Sequence, residues 1–298
     1  MKAGFIGLGI MGGPMSRNLL RAGCELLVND VEPKALQRAV EAGGQAATRQ
    51  EVAGCEVVFT ILPNGDIVRE VLLGPEGIAQ HMKPGSLVCD MSSVTPVQSR
   101  EFADGLARYG VRFVDAPVSG GEPKAIDGTL AFMVGGSQED FRQLEPYFSI
   151  MGASSVLVGG TGSGSVAKLA NQIIVNLTIT AVSEAMVLAE KAGTDPEKVY
   201  QAIRGGLAGS TVLDAKAPMM FRRDFKPGGP LRINLKDMKN VMATAHDLDV
   251  PLPFSSQLVE VMQALKAGGH LGDDHSGIVQ YFEALAGVQV HRHTEEEA

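Results

Sequence analysis

Two polar residues set in an apolar run have the types and spacing to do chemistry together. Lys168 and Asn171 lie three residues apart within residues 164–176. If that stretch is helical, both side chains share one face, about 5–6 Å apart at Cβ. An ammonium there can protonate an oxygen that gains negative charge, and a neighbouring amide can orient the reacting group. A single lysine on a helix is most often a solvated surface residue. The pair therefore acquires meaning only from what the rest of the chain presents.

The start of the chain supplies a partner for that chemistry. Residues 2–6 form an apolar run, Gly7, Leu8, Gly9, Ile10, Met11 and Gly12 follow, and residues 14–22 read as a helix. Strand, Gly-x-Gly-x-x-Gly, helix is the arrangement that holds a dinucleotide pyrophosphate. The first glycine allows the tight turn, the second lets phosphates approach the backbone, and the third lets helix and strand pack closely. The helix N-terminus presents unpaired N–H groups to the anion. A second strand, 25–29, ends at Asp30, 18 residues past Gly12. That is near the ~20-residue spacing of the acid that accepts from ribose hydroxyls. An aspartate repels the 2′-phosphate of NADP, and Val31, next in line, offers no cation to pair with it. NAD(H) is the expected cofactor, with NADP(H) left open. The competing readings are a turn that binds nothing and, for Asp30, a cap for a helix opened by Pro33.

The elements that must position these residues repeat in order. Strands are expected at 56–61, 86–90, 111–114, 129–134 and 155–158, and helices at 66–73, 96–109 and 139–151. Such alternation predicts an α/β fold with a Rossmann-type, doubly wound parallel sheet. Ligands of such sheets sit beyond the carboxyl ends of the strands, so the loops at 63–65, 91–93 and 116–121 should line the site. Residues 159–164 (GGTGSG) read as a hinge, after which strand signals stop. The expected division is a dinucleotide-binding domain over 1–161, a long interdomain helix over 162–192, an all-α C-terminal domain over 193–290 and a flexible tail over 291–298. His291 and His293 are read as part of that tail, and no metal site is expected.

Bulk properties bound the function. At 298 residues the chain has room for about two domains. A net charge of -8 and the absence of a basic stripe argue against nucleic acid or an anionic membrane as partner. The most apolar stretch, 169–189, carries Asn171, Gln172, Asn176, Ser183 and Glu184, too polar for a membrane span. No signal peptide is read at the N-terminus. Cys24, Cys55 and Cys89 have no C-x-x-C spacing and read as reduced structural thiols of a cytoplasmic protein. No Ser-His-Asp order or H-E-x-x-H motif appears. The Gly-rich segment 115–121 (DAPVSGG) adds a candidate anion nest of backbone N–H groups and a hydroxyl.

Four segments together carry a resemblance: GFIGLGIMGGPM at 4–15, DAPVSGGEPKAIDGTL at 115–130, GSVAKLANQ at 164–172, and Lys236–Asp237. With them the chain resembles the β-hydroxyacid dehydrogenases over roughly residues 2–288. The resemblance implies hydride transfer between a nicotinamide cofactor and a three-carbon semialdehyde or hydroxyacid. It implies Lys168 as general acid, Asn171 as the group that hydrogen-bonds the reacting oxygen or orients the lysine, and Ser119, Gly120 and Gly121 as binders of the substrate carboxylate. It also implies that Lys236 reaches cofactor and substrate and that Leu62, Pro63 and Ser93 lie along the nicotinamide. Gln172 stands where much of the family has a second asparagine. That residue, GGEPKAIDGTL, and residues 200–219 are similar to the tartronate semialdehyde reductase branch. The 3-hydroxyisobutyrate dehydrogenase branch shares the catalytic residues. A non-catalytic dinucleotide binder would need neither Lys168 nor Asn171. A phosphosugar substrate has only Arg204, Arg222 and Arg223 nearby to grip it. The long apolar helix further suggests a homodimer or homotetramer.

Overall fold

The first apolar run, Lys2–Ile6, is strand β1 of a computed structural model that describes residues Met1–His293. It is followed by α1 (Gly12–Arg21), β2 (Glu25–Asn29), α2 (Pro33–Glu41), β3 (Gln45–Ala46), α3 (Arg49–Ala53), β4 (Val57–Thr60) and α4 (Gly65–Leu73). Then come β5 (Leu87–Asp90), α5 (Pro96–Ala107), β6 (Arg112–Asp115), β7 (Val118–Ser119), α6 (Gly121–Asp127), β8 (Leu130–Gly135), α7 (Gln138–Met151) and β9 (Gly152–Gly159). The long helix α8 runs from Ser163 to Lys191. The chain divides into two compact units, Met1–Leu169 and Ala170–Ala298, so the first turns of α8 belong to the first unit.

In the first unit the strands form one sheet in the order β3-β2-β1-β4-β5-β6-β8-β7, with β9 paired to β8. β1 to β6 pair in parallel, as alternation predicts. β8 departs from that: it runs antiparallel to β6 and β7. The connection from β7 to β8 holds only the short helix α6. A parallel return would need a crossover of about a dozen or more residues. Residue alternation sorts the strands onto two cores. Phe5, Phe59, Cys89 and Val114 face one, with Met15, Leu19, Phe132 and Phe148. Ile6, Val58, Val88 and Phe113 face the other, with Leu72, Phe102 and Leu106. Burial on both faces is why these strands read as continuous apolar runs. All three cysteines are buried free thiols.

The second unit continues α8 and adds α9 (Pro196–Ile203), α10 (Thr211–Phe221), α11 (Leu231–Asp247), α12 (Pro253–Ala267) and α13 (Val279–Ala286). Its core includes Ile179, Met186, Met220, Phe221, Met238, Leu258 and Met262. Helix α10 lies within the all-α domain expected over 193–290. Ser210 caps it by accepting from Leu213 N, although Pro218 sits inside it. Asp274, fully buried, fixes the loop before α11: it accepts from Gly228 N, Gly229 N and Ser276 N and pairs with Lys216 at 2.8 Å. The start of the stretch read as tail is held in place. Arg292 N donates to Phe221 O, and His291 and His293 face Glu190. The remainder of that stretch, 294–298, lies outside the described residues.

Candidate active site

Gly7 continues β1 into a turn at φ +98°, a left-handed value that favours glycine. A Cβ on Gly7 would lie 2.3 Å from Ile61 O, and one on Gly12 would lie 1.9 Å from Gly7 O. Both glycines are therefore fixed by the packing of turn, β4 end and helix. Gly9 differs: a Cβ there would meet nothing within 4 Å. The turn leaves open space at the residue where a pyrophosphate must come close. Leu8, Gly9 and Ile10 line a cleft of about 430 Å³ together with Asp30, Arg17 and Arg38. Asp30 ends its strand as expected and does not merely cap a helix; Glu32 accepts from Lys34 N at the start of α2. Asp30 Oδ2 accepts from Leu8 N at 2.5 Å and Oδ1 from Glu32 N at 2.7 Å. A carboxylate offers about four lone-pair sites, so acceptor capacity remains for two ribose hydroxyls. The residues present thus fit the adenosine half of a dinucleotide. Arg17 and Arg38 were not singled out from sequence. Arg38 lies three residues after the buried Ala35 on α2, and that helical spacing is the signal that puts it beside the cleft.

The next two strand ends are tied together by one buried carboxylate. Asp90, fully buried, accepts at Oδ1 from Thr60 Oγ1 at 2.7 Å and from Ser92 Oγ at 2.6 Å. Ser92 Oγ in turn accepts from Leu62 N at 2.8 Å. This relay sets the backbone at Leu62, next to the exposed Pro63, and holds the turn that leads to Ser93. Burial pushes the Asp90 carboxyl from its ordinary 3.8 up to about 6, against the pull of the Ser92 and Thr60 hydrogen bonds. Because the folded value lies above the unfolded one, the native state binds the extra proton. The stability Asp90 contributes is fully present below about pH 4 and is lost as pH rises through 6. Asp90→Asn keeps the Oδ1 acceptor and places an amide where Oδ2 has no hydrogen-bond partner. Its stability relative to wild type should rise by ~2 kcal/mol between pH 4 and pH 7. Parallel urea-unfolding curves for the two proteins across that range would contradict the assignment.

Asp115, at the end of β6, is the second buried carboxylate. Its Oδ1 accepts from Gly162 N at 2.7 Å and its Oδ2 from Ser165 N at 2.8 Å. These are N–H groups at the start of α8 that have no partner within the helix. Burial pushes the Asp115 carboxyl up, opposed by those same hydrogen bonds. Ser165 Oγ also meets Ser99 Oγ at 2.9 Å. Gly164 packs so tightly that a Cβ would lie 2.4 Å from Met133 O. The glycines expected to form a hinge here thus serve, at least at Gly164, close packing of α8 on the sheet. One turn further along, Lys168 is half-buried and donates from Nζ to Val118 O at 2.9 Å. Val118 and Ser119 form β7, and Gly120 and Gly121 follow it into α6. The ammonium is therefore held against the 118–121 segment, the two features that the sequence nominated separately.

Asn171 follows three residues along the same helix, and its Nδ2 lies 3.5 Å from Gln172 Oε1. Buried Gln172 donates to Asp237 Oδ2 at 2.6 Å, and Asp237 Oδ1 pairs with Lys236 Nζ at 2.9 Å. Within the second unit, α8 and the Lys236 segment of α11 are thereby joined through a buried carboxylate. Gln172 is the link, which gives a physical role to the residue that stands in place of the family's second asparagine.

Two family models match the chain. Residues 2–160 match the NAD binding domain of 6-phosphogluconate dehydrogenase, and residues 162–282 match the NAD-binding domain of NADP-dependent 3-hydroxyisobutyrate dehydrogenase. Among characterised proteins the chain is 41% identical to 2-hydroxy-3-oxopropionate reductase of Escherichia coli (strain K12), over 96% of this chain and 98% of that one. It is 34% identical to 2-(hydroxymethyl)glutarate dehydrogenase of Eubacterium barkeri, over 97% of each chain. A crystal structure of 3-hydroxyisobutyrate dehydrogenase from Salmonella typhimurium superposes with a TM-score of 0.84 at 31% identity, covering 94% of this chain and 99% of that one. With an NAD-binding sheet domain, a helical second domain and relatives matched end to end, the chain belongs to the β-hydroxyacid dehydrogenase family of oxidoreductases acting on CH–OH groups.

Proposed function

We propose that the protein reduces tartronate semialdehyde (2-hydroxy-3-oxopropanoate) to D-glycerate with NADH. The observation that carries the reaction class is Lys168 Nζ held at 2.9 Å from Val118 O, beside Ser119, Gly120 and Gly121. The choice of substrate is supported by the 41% identity to the Escherichia coli reductase of that name. Backbone N–H groups from Gly9 to Gly12 would hold the pyrophosphate, Asp30, itself fixed by Leu8 N, the adenosine ribose, and Leu62, Pro63 and Ser93 the nicotinamide side. The reduced nicotinamide supplies the hydride to the aldehyde carbon. Lys168 gives its proton to the aldehyde oxygen as negative charge builds there, and is reprotonated from water. A cation fixed at that point stabilises the transition state more than the neutral aldehyde. Ser119, Gly120 and Gly121 bind the substrate carboxylate. Asn171 is assigned to the reacting oxygen, and Lys236 to substrate and cofactor.

Tartronate semialdehyde and NADH should be consumed one to one, with D-glycerate as the product; a protein that binds NADH yet turns over no semialdehyde is the non-catalytic binder instead. NADH should be preferred to NADPH by at least about tenfold in kcat/KM, some 1.4 kcal/mol. Asp30→Asn should narrow that ratio, because the carboxylate charge that repels a 2′-phosphate is gone while Arg17 and Arg38 still line the cleft. An unchanged ratio in the variant removes Asp30 from cofactor choice.

A further inference from the structure

The C-terminal end of α8 gathers three metal-binding side chains that the reductase reading does not use. Glu190 is the penultimate residue of that helix. Its Oε2 lies 3.4 Å from His291 Nδ1 and its Oε1 lies 3.3 Å from His293 Nε2. The ligand atoms of all three fall within 4.8 Å of one another, and the two imidazole rings are 5.0 Å apart between centroids. Glu190 and His293 are nearly buried, with side chains 11% and 10% exposed.

We propose that Glu190, His291 and His293 form a binding site for a divalent transition metal of the zinc type. The separations are long for charge-assisted N–H···O bonds, which run about 2.7–2.9 Å. Each is close to the edge of a tetrahedron whose metal–ligand bonds are about 2.0–2.1 Å, the lengths that zinc takes with imidazole and carboxylate, with the two nitrogens facing different oxygens of the one carboxylate. Two imidazoles and one carboxylate supply three of the four positions of that tetrahedron among the described residues. The site lies at the negative end of the helix macrodipole, where a cation is favoured.

The backbone that carries the two histidines is already fixed. Val290 N donates to Glu283 Oε1 at 2.8 Å, and Arg292 N donates to Phe221 O at 2.9 Å. Arg292 itself pairs with Glu197 at 2.8 Å, and Lys191 donates to Ala286 O, so neither nearby cation is paired with Glu190. Residues 290 and 292 thus anchor the segment while 291 and 293 present their rings to one carboxylate. Metal binding replaces the 3.0 Å contact of His291 Nδ1 with Gln289 O. A bound ion would staple this segment to α8 and raise stability by mass action.

Cobalt(II) is the probe, because tetrahedral coordination gives it visible absorption. The metal-free full chain should take up one equivalent of Co²⁺ with that absorption, and Zn²⁺ should displace it. Zn²⁺ should also raise the Tm. His291→Ala/His293→Ala should weaken Co²⁺ binding by at least about 100-fold, the loss that even outer-shell changes can reach. Glu190→Gln, which keeps size and polarity, should weaken it too and serves if the double variant fails to fold. Equal uptake by wild type and Glu190→Gln would place the metal elsewhere. No uptake by the wild type under excess Co²⁺ would leave a plain histidine–carboxylate pairing and end the proposal.

Discussion

Lys168→Ala should lose about 10²–10⁴-fold in kcat, the range a positioned general acid supplies. NADH affinity should stay near wild type, because the residues nominated for the adenosine half, Leu8 to Gly12 and Asp30, lie on other elements. The loss should fall on kcat more than on KM, since the ammonium is asked to act on charge that develops only during hydride transfer. The side chain is half-buried and donates a 2.9 Å hydrogen bond to the main-chain carbonyl of buried Val118, so a structural loss on its removal would register in unfolding free energy and not in kcat alone. Wild-type turnover in the variant removes Lys168 from the mechanism. A collapse of NADH binding along with turnover would mean that the residue supports the fold and not the proton transfer.

The glycine loop yields the second large effect, as a contrast between neighbours. A Cβ on Gly12 would stand 1.9 Å from Gly7 O and 2.7 Å from Ile61 Cγ2. The first is main chain and cannot step aside, so Gly12→Ala should cost about 3 kcal/mol or more in unfolding free energy. Gly9→Ala meets nothing within 4 Å and should stay within about 0.5 kcal/mol of wild type. Its penalty appears only with cofactor: NADH affinity should fall at least about tenfold, ~1.4 kcal/mol, because the methyl group takes the space a pyrophosphate needs. If Gly9→Ala binds NADH normally, the pyrophosphate does not approach this turn. If Gly12→Ala is as stable as wild type, the helix does not depend on that close packing.

How much of this was legible in the sequence follows from where the constraints are local. β1 and β2 fall where apolar runs put them, and α2 opens at Pro33, because strand burial and a proline at the first helical turn leave direct marks. Helix α6 was hidden, since Gly120 and Gly121 read as an open loop although Gly121 begins a helix. α10 was hidden by Pro218 and by the glycines before it; its formation depends on burying Leu213, Ala217, Met220 and Phe221. The antiparallel turn of β8 was hidden too, because pairing direction is set by connection length and not by strand composition. For the site, glycine spacing and the Lys168–Asn171 interval are local and were read. Asp90 and Asp115 act across long sequence separations, on Thr60 and on the start of α8, and no nearby pattern marks them.

Substrate choice tests the account most directly. NADH oxidation should be compared side by side with tartronate semialdehyde and methylmalonate semialdehyde. A kcat/KM at least about tenfold higher for tartronate semialdehyde, some 1.4 kcal/mol of transition-state discrimination, is the result expected here. The reverse preference would leave Lys168, Asn171 and Ser119 in their assigned roles but contradict the glycerate-forming reading, moving the enzyme to the hydroxyisobutyrate side of the family.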